Sequence, residues 1–190
     1  ALPVLVGAAY MQKSLPAFEV IVCAASESFR WNVHEYPHHL AKWHYHPEYE
    51  LHLIQHSSGK MMIGDFVGDF GPGTLILTGP NLPHNWVSDV GEQDRIPARD
   101  MLIQFTSEFA SQVAEPFAEL HHVKAMLADS AFGVEFLGET ARDGARRLAE
   151  IGRTRGSRRL LLFLDLLDRL SCEPGQRRIL ASCAPALGIH

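Results

Sequence analysis

Cysteine is scarce and poorly spaced for any cysteine chemistry. Cys23, Cys172 and Cys183 form no C-x-x-C pair and leave an odd count. A disulfide framework and a cysteine zinc site are thereby excluded as organising devices. A reducing compartment, the cytoplasm, is the simplest expectation. Long apolar runs are missing as well: Leu160 to Leu164 falls far short of the roughly 20 residues that cross a bilayer. No basic segment precedes an apolar stretch at the start, so a secretory leader is not expected either. Positive charge is in deficit, with Lys+Arg 17 against Asp+Glu 22 and a formal net charge of −5. A surface that meets nucleic-acid phosphates needs the opposite balance, so this chain by itself is not expected to hold DNA. Internal repeats and low-complexity segments are also lacking.

What is present is an ordinary globular composition: 190 residues, 46% hydrophobic and 21% charged. That length supports one main core with a helical appendage. The first residue is Ala1 and the last segment has no helical stop, which reads as a piece of something longer. The pattern changes near Phe105. Before it, short apolar or alternating runs (Phe18 to Cys23, Phe29 to Tyr36, Tyr49 to Gln55, Lys60 to Val67, Thr74 to Thr78, Asp100 to Phe105) are divided by Gly, Pro, Asn and Ser. Such spacing predicts strands of a sandwich or barrel. Pro80, Pro83 and Pro97 with the Gly68/Gly71/Gly73 cluster exclude long helices there. After Phe105 the period lengthens to between three and four. Ser107 is placed to cap a helix carrying Phe109, Val113, Phe117, Leu120 and Leu127, ended or kinked at Pro116. A second helix is expected after Gly138, running to Ile151, and a third from Arg158 to Leu170.

Histidine is the residue in excess, eleven in all, and four lie between Trp43 and His56. In His44-Tyr-His46-Pro-Glu-Tyr-Glu50 the two histidines and Glu50 share parity, so an extended strand points all three to one face. Two imidazoles and a carboxylate suit a divalent transition metal, with Zn, Ni, Fe, Mn and Cu all compatible. His84, after the Pro80-Asn-Leu-Pro83 turn, is the candidate fourth ligand. A polar ligand pocket without metal and a structural network are the competing readings of the same burial. Glu48 and His52 share the parity and can join the site, or replace a ligand if Pro47 introduces a bulge. Trp86 completes the expected ligand pocket. His34, His38, His39, His121, His122 and His190 are read as core or surface residues.

His44-x-His46-x-x-x-Glu50 followed by Gly73 to His84 resembles the two motifs of the cupin superfamily, which implies a jelly-roll barrel with His44, His46, Glu50 and His84 as ligand quartet. More narrowly, Trp43 to Leu51, Ile63-Gly-Asp65 and Phe70 to His84 resemble the N-terminal sensor domain of AraC-type transcription regulators. Phe136 to Ala141, Leu166 to Leu170 and Arg178 to Ser182 resemble the helical part and the approach to the linker of those proteins. The fold expected is therefore mainly β, a cupin-like jelly-roll barrel over residues 1–106. A helical dimerisation region over 107–175 and the start of a linker over 176–190 follow it. The resemblance implies a small-molecule effector, a homodimer and a helix-turn-helix domain outside this chain through which DNA is bound.

Seven arginines between Arg142 and Arg159 alternate with leucine, alanine and acids, the pattern of solvated helix faces and not of a DNA surface. The broad stripe of the third helix reads by itself as ordinary core, while the resemblance implies a two-fold interface through Leu160, Leu164 and Leu167. Two functions remain in competition. One is an effector-sensing module for a sugar or a small organic acid. The other is a small metal-dependent cupin enzyme, an oxygenase or isomerase, and the barrel alone does not separate them.

Overall fold

The computed structural model describes residues 15–38, 42–91 and 94–183. Strands β1 (Ala17–Phe18), β2 (Arg30–Tyr36), β3 (His44–Tyr45), β4 (Tyr49–Ile54), β5 (Gly59–Ile63), β6 (Phe66–Phe70), β7 (Leu75–Thr78), β8 (His84–Ser88) and β9 (Ile96–Phe105) precede the first helix. Helices α1 (Ser107–Ala114), α2 (His121–Asp129), α3 (Gly138–Gly152) and α4 (Gly156–Cys172) follow, with β10 (Val134–Phe136) before α3 and β11 (Arg177–Ile179) after α4. The strands form two sheets, ordered β1-β3-β8-β5-β6 and β11-β10-β7-β4-β9-β2.

Strand alternation sorts the larger sheet into two faces. Leu51, Leu53, Leu75, Leu77, Met101, Ile103 and Phe105 pack with the helices in one core, while Ile54 and Ile76 join Met61, Ile63, Phe70 and Trp86 in a second core between the sheets. Glu50, His52 and Ile54 pair with Gln104, Leu102 and Asp100 on β9, so a row of polar side chains from both strands is turned inward.

Several expectations are revised. The run Lys60 to Val67 is a hairpin, split by Gly64-Asp65, with Gly64 in the left-handed region at φ 55°. Of the first expected strand, Phe18 to Cys23, only Phe18 pairs, together with Ala17 before it, because β3 offers two residues as partner; Val20 and Val22 are exposed. Strands β8, β10 and β11 lie outside the predicted set. Arg177–Ile179, expected to open a linker, pairs with β10 instead, and Arg178 is ion-paired with the buried Glu135 across that edge. Residues 184–190 of the expected linker lie outside the described residues. Thr106, not Ser107, caps α1 by accepting from the Phe109 amide, and α1 stops two residues before Pro116.

The third helix is longer than its apolar stripe, and its leucines divide. Leu167 is 1% exposed and is held by its own chain's core, so it is withdrawn from the interface set. Leu160 and Leu164 are half-buried, and the apolar side chain left to water on α4 is Leu161 at 62% exposure. Phe163 explains the demand for a broad stripe: it packs tilted against Phe29, edge-to-face with Phe105 and stacked on Phe109, with ring centroids 4.4, 5.2 and 5.7 Å away. On α3, Arg142 and Arg146 are exposed and pair locally with Glu139 and Asp143 as solvated-face residues, whereas Arg147 is half-buried and joins Asp143 to Asp165 of α4. Among the described residues no helix is long and apolar enough to cross a membrane.

Candidate functional site

His44 and His46 do not share one strand with Glu50. The chain leaves the smaller sheet at Tyr45, bends through Pro47, and enters the larger sheet at Tyr49. The three side chains still meet, because the two sheets face each other across the interior. His44 is the direct cross-strand partner of His84. The Gly79 to Pro83 turn delivers His84: Asn81 adopts φ 62°, which asparagine tolerates, and its amide donates to the His46 carbonyl at 2.8 Å.

Ligand nitrogens of His44, His46 and His84, all buried, lie within 4.8 Å of one another. Each ring is anchored from behind. The Nδ1 of His44 meets the Lys42 carbonyl at 2.7 Å, that of His46 the Glu48 carbonyl at 3.1 Å, and that of His84 the Leu82 carbonyl at 2.7 Å. A carbonyl only accepts, so in each ring Nδ1 carries a proton, and in the neutral form Nε2 keeps a lone pair. This is the outer-shell arrangement that orients metal-binding histidines.

Glu50 borders two of the three, 3.3 Å from His46 Nε2 and 3.8 Å from His84 Nε2. Its oxygens accept from His52 Nδ1 at 2.8 Å and from Gln104 Nε2 at 2.7 Å. Burial alone would raise the Glu50 pKa, but the hydrogen bonds of His46 and His52 outweigh it and hold the carboxyl well below its ordinary value. Burial pushes His84 well down, aided by His44, and burial lowers His44 too. Burial also opposes charge on His46, yet its bond to Glu50 wins and its pKa is raised. Neutral His44 and His84 are the forms that ligate.

His52 is stacked on Trp86 at 3.9 Å between ring centroids, with Nε2 3.4 Å from Asp100. Burial disfavours its charge, but Asp100 and Glu50 prevail and lift its pKa to about 8. Both predicted pocket residues, His52 and Trp86, thus line the interior. Glu48 does not: its carboxylate sits 3.6 Å from His46 Nδ1, behind the ring. Three residues were missed. Glu19 places Oε2 3.2 Å from His44 Nε2 as a second carboxylate, Asp100 supports His52, and His34 approaches Asp100 at 3.4 Å while stacking on His38. Glu19 is the one acid in an otherwise apolar run, a signal that was available.

Buried polar atoms without a hydrogen-bond partner gather here, among them His46 Nε2, His84 Nε2, His52 Nε2 and Gln104 Oε1. Such atoms are rare in folded proteins. A cation on the Nε2 atoms, with water beside it, satisfies the imidazoles, so the donor set fits a divalent metal. The enclosed space amounts to about 30 Å³, room for about one water and not for a sugar. Next to it, and sharing Glu19, His34 and His38, a mouth of about 320 Å³ is walled by Arg30 and Asn32 on one side and Phe18 and Val20 on another.

A two-sheet β domain with a histidine-lined interior and helices packed on one face defines a class of binding domains. Within that class, residues 32–122 match the model of the AraC-like ligand binding domain. In three dimensions the chain is similar to ToxT from Vibrio cholerae in complex with an unsaturated fatty acid (TM-score 0.49, 14% identity, covering 77% of this chain and 53% of that one). A second ToxT structure from the same organism gives a TM-score of 0.43 at 13% identity, with 73% and 54% covered. The chain thus spans about half the length of those proteins. None of the curated proteins compared with the chain matches it in sequence.

Proposed function

We propose that this chain is the effector-sensing and dimerisation part of an AraC-type transcription regulator, built on a cupin jelly roll that holds one divalent transition metal through His44, His46, Glu50 and His84. The observation that carries the reading is the convergence of three buried imidazoles, each with Nδ1 held by a main-chain carbonyl. His44, His46, Glu50 and His84 would hold the ion, which would supply a fixed positive, Lewis-acid centre in the interior. The chain's own residues do the rest. His52 and Gln104 fix the Glu50 carboxylate, and Glu19 stands at the rim of the interior.

An interior with space for about one water directs the effector to the mouth. Arg30 and Asn32 offer polar partners there, and Phe18 and Val20 an apolar wall. That combination suits a small organic acid better than a sugar. Arg30, Asn32 and His34 alternate on β2 with Trp31 and Val33, which pack against the helical core. Trp31 also donates to the Leu148 carbonyl of α3 at 3.0 Å. Effector contacts on one face of β2 are therefore one residue away from helix contacts on the other. Coupling requires that the effector favour one of two arrangements of those helices. The DNA contacts belong to a helix-turn-helix domain outside these 190 residues.

Elemental analysis of protein purified without a metal-affinity column tests the reading, paired with mass spectrometry of co-purified small molecules. His84→Ala is expected to carry one equivalent of metal less than wild type; equal metal content would remove the site. Arg30→Ala is expected to weaken binding of a carboxylate effector at least tenfold. Robust turnover of a candidate substrate with aerobic Fe(II) would favour the cupin enzyme instead.

A further inference from the structure

Outside the interior, a second set of ligating side chains meets where α2 packs against α4. His122 stands in the first turn of α2. Asp168 and Cys172 are four residues apart at the end of α4, hence on one helix face. His122 Nε2 lies 2.8 Å from Asp168 Oδ1 and 3.8 Å from Cys172 Sγ. All three donor atoms are within 4.8 Å of one another. An open groove of about 620 Å³ between α3 and α4 runs past Asp168 and Cys172, so an ion reaches them without any rearrangement of the fold.

A Cys, His and Asp together also invite comparison with a nucleophilic triad. That chemistry needs the two imidazole nitrogens to face the thiol and the carboxylate separately. Here both partners crowd the same atom, Nε2. Three donors sharing one point is the geometry of coordination.

We propose that His122, Asp168 and Cys172 form a surface site for a zinc-class divalent ion, with the fourth position open to solvent. One nitrogen, one oxygen and one sulfur donor match a borderline-soft ion. The 3.8 Å between Sγ and Nε2 is near the roughly 3.6 Å subtended at a tetrahedral centre by bonds of about 2.3 and 2.0 Å. The imidazole–carboxylate contact opens by about half an ångström to admit the ion. Binding releases the thiol proton to water, while the ring proton of His122 passes from Nε2 to Nδ1 so that neutral imidazole is the ligand. An occupied site clamps α2 to α4, and its open position keeps the ion exchangeable.

Cobalt(II) titration of the 190-residue chain tests this. The interior site contains no sulfur, so a thiolate-to-cobalt charge-transfer band reports the helical site alone. A saturable band is expected from wild type, unchanged in His84→Ala and in the Cys23→Ser/Cys183→Ser double variant. It should vanish in Cys172→Ser, and half-saturation should need at least tenfold more cobalt in His122→Ala. Absence of the band in wild type overturns the proposal, as does its survival in Cys172→Ser or its loss in the double variant.

Discussion

Asp100 shows how a single side chain ties the interior together. It lies fully buried on β9, bonded by Arg99 at 2.6 Å and facing His52 and His34, each at 3.4 Å. Burial alone would raise its pKa, but the charge of His52 and the hydrogen bond of His34 outweigh this and depress it strongly. With a folded-state pKa well below the unfolded value of about 3.9, the stabilisation is complete above that unfolded value and is lost progressively as pH falls from it through the folded-state pKa. Asp100→Asn is expected to cost about 3–5 kcal/mol near neutrality, the range for breaking a buried ion pair. The gap to wild type should narrow below pH ~4 in thermal melts. A gap independent of pH would show that the charge contributes nothing. His44, His46, Glu50 and His84 were legible because each joins ligand chemistry to a motif position. Asp100 was not, since an acid at the head of an apolar run reads equally as a strand terminus. Parity alone also misplaced Glu48, because Pro47 turns the chain and sends it behind His46.

Elements divide in the same way. The change of period after Phe105 located α3 and α4 to within about two residues, because amphipathic spacing persists over four turns. Strands β10 and β11 have three residues each, too short to establish a period, and only tertiary pairing defines them. Close packing makes the α3 interface sensitive. A Cβ on Gly152 would stand 2.1 Å from the Trp31 ring, so Gly152→Ala is expected to lose about 1–3 kcal/mol by overpacking, with a shift in tryptophan fluorescence. Phe163→Ala, which empties the centre of the aromatic cluster, is expected to lose about 3–5 kcal/mol. Denaturant unfolding measures both. A Phe163→Ala protein within 1 kcal/mol of wild type would contradict the helix-to-sheet packing described.

For the whole molecule, the face of α4 carrying Leu161 is the surface available for a two-fold contact, flanked by Leu160 and Leu164. Leu161→Glu is expected to shift a dimer to monomer in light scattering while keeping its melting temperature, whereas Leu167→Glu should unfold the chain. A wild type monomeric at high micromolar concentration removes the dimer. A net charge of −5 and arginines paired along α3 leave no stripe for successive phosphates, so mobility-shift assays of this chain alone should show no sequence-selective complex. The proposed interior metal site is tested by X-ray absorption at the zinc edge, on Cys172→Ser protein loaded with one equivalent of zinc. Nitrogen and oxygen neighbours are expected at about 2.0–2.1 Å, with multiple scattering from three imidazoles that falls to two or fewer in His84→Ala. Zinc that does not bind, or a spectrum without imidazole scattering, would contradict it.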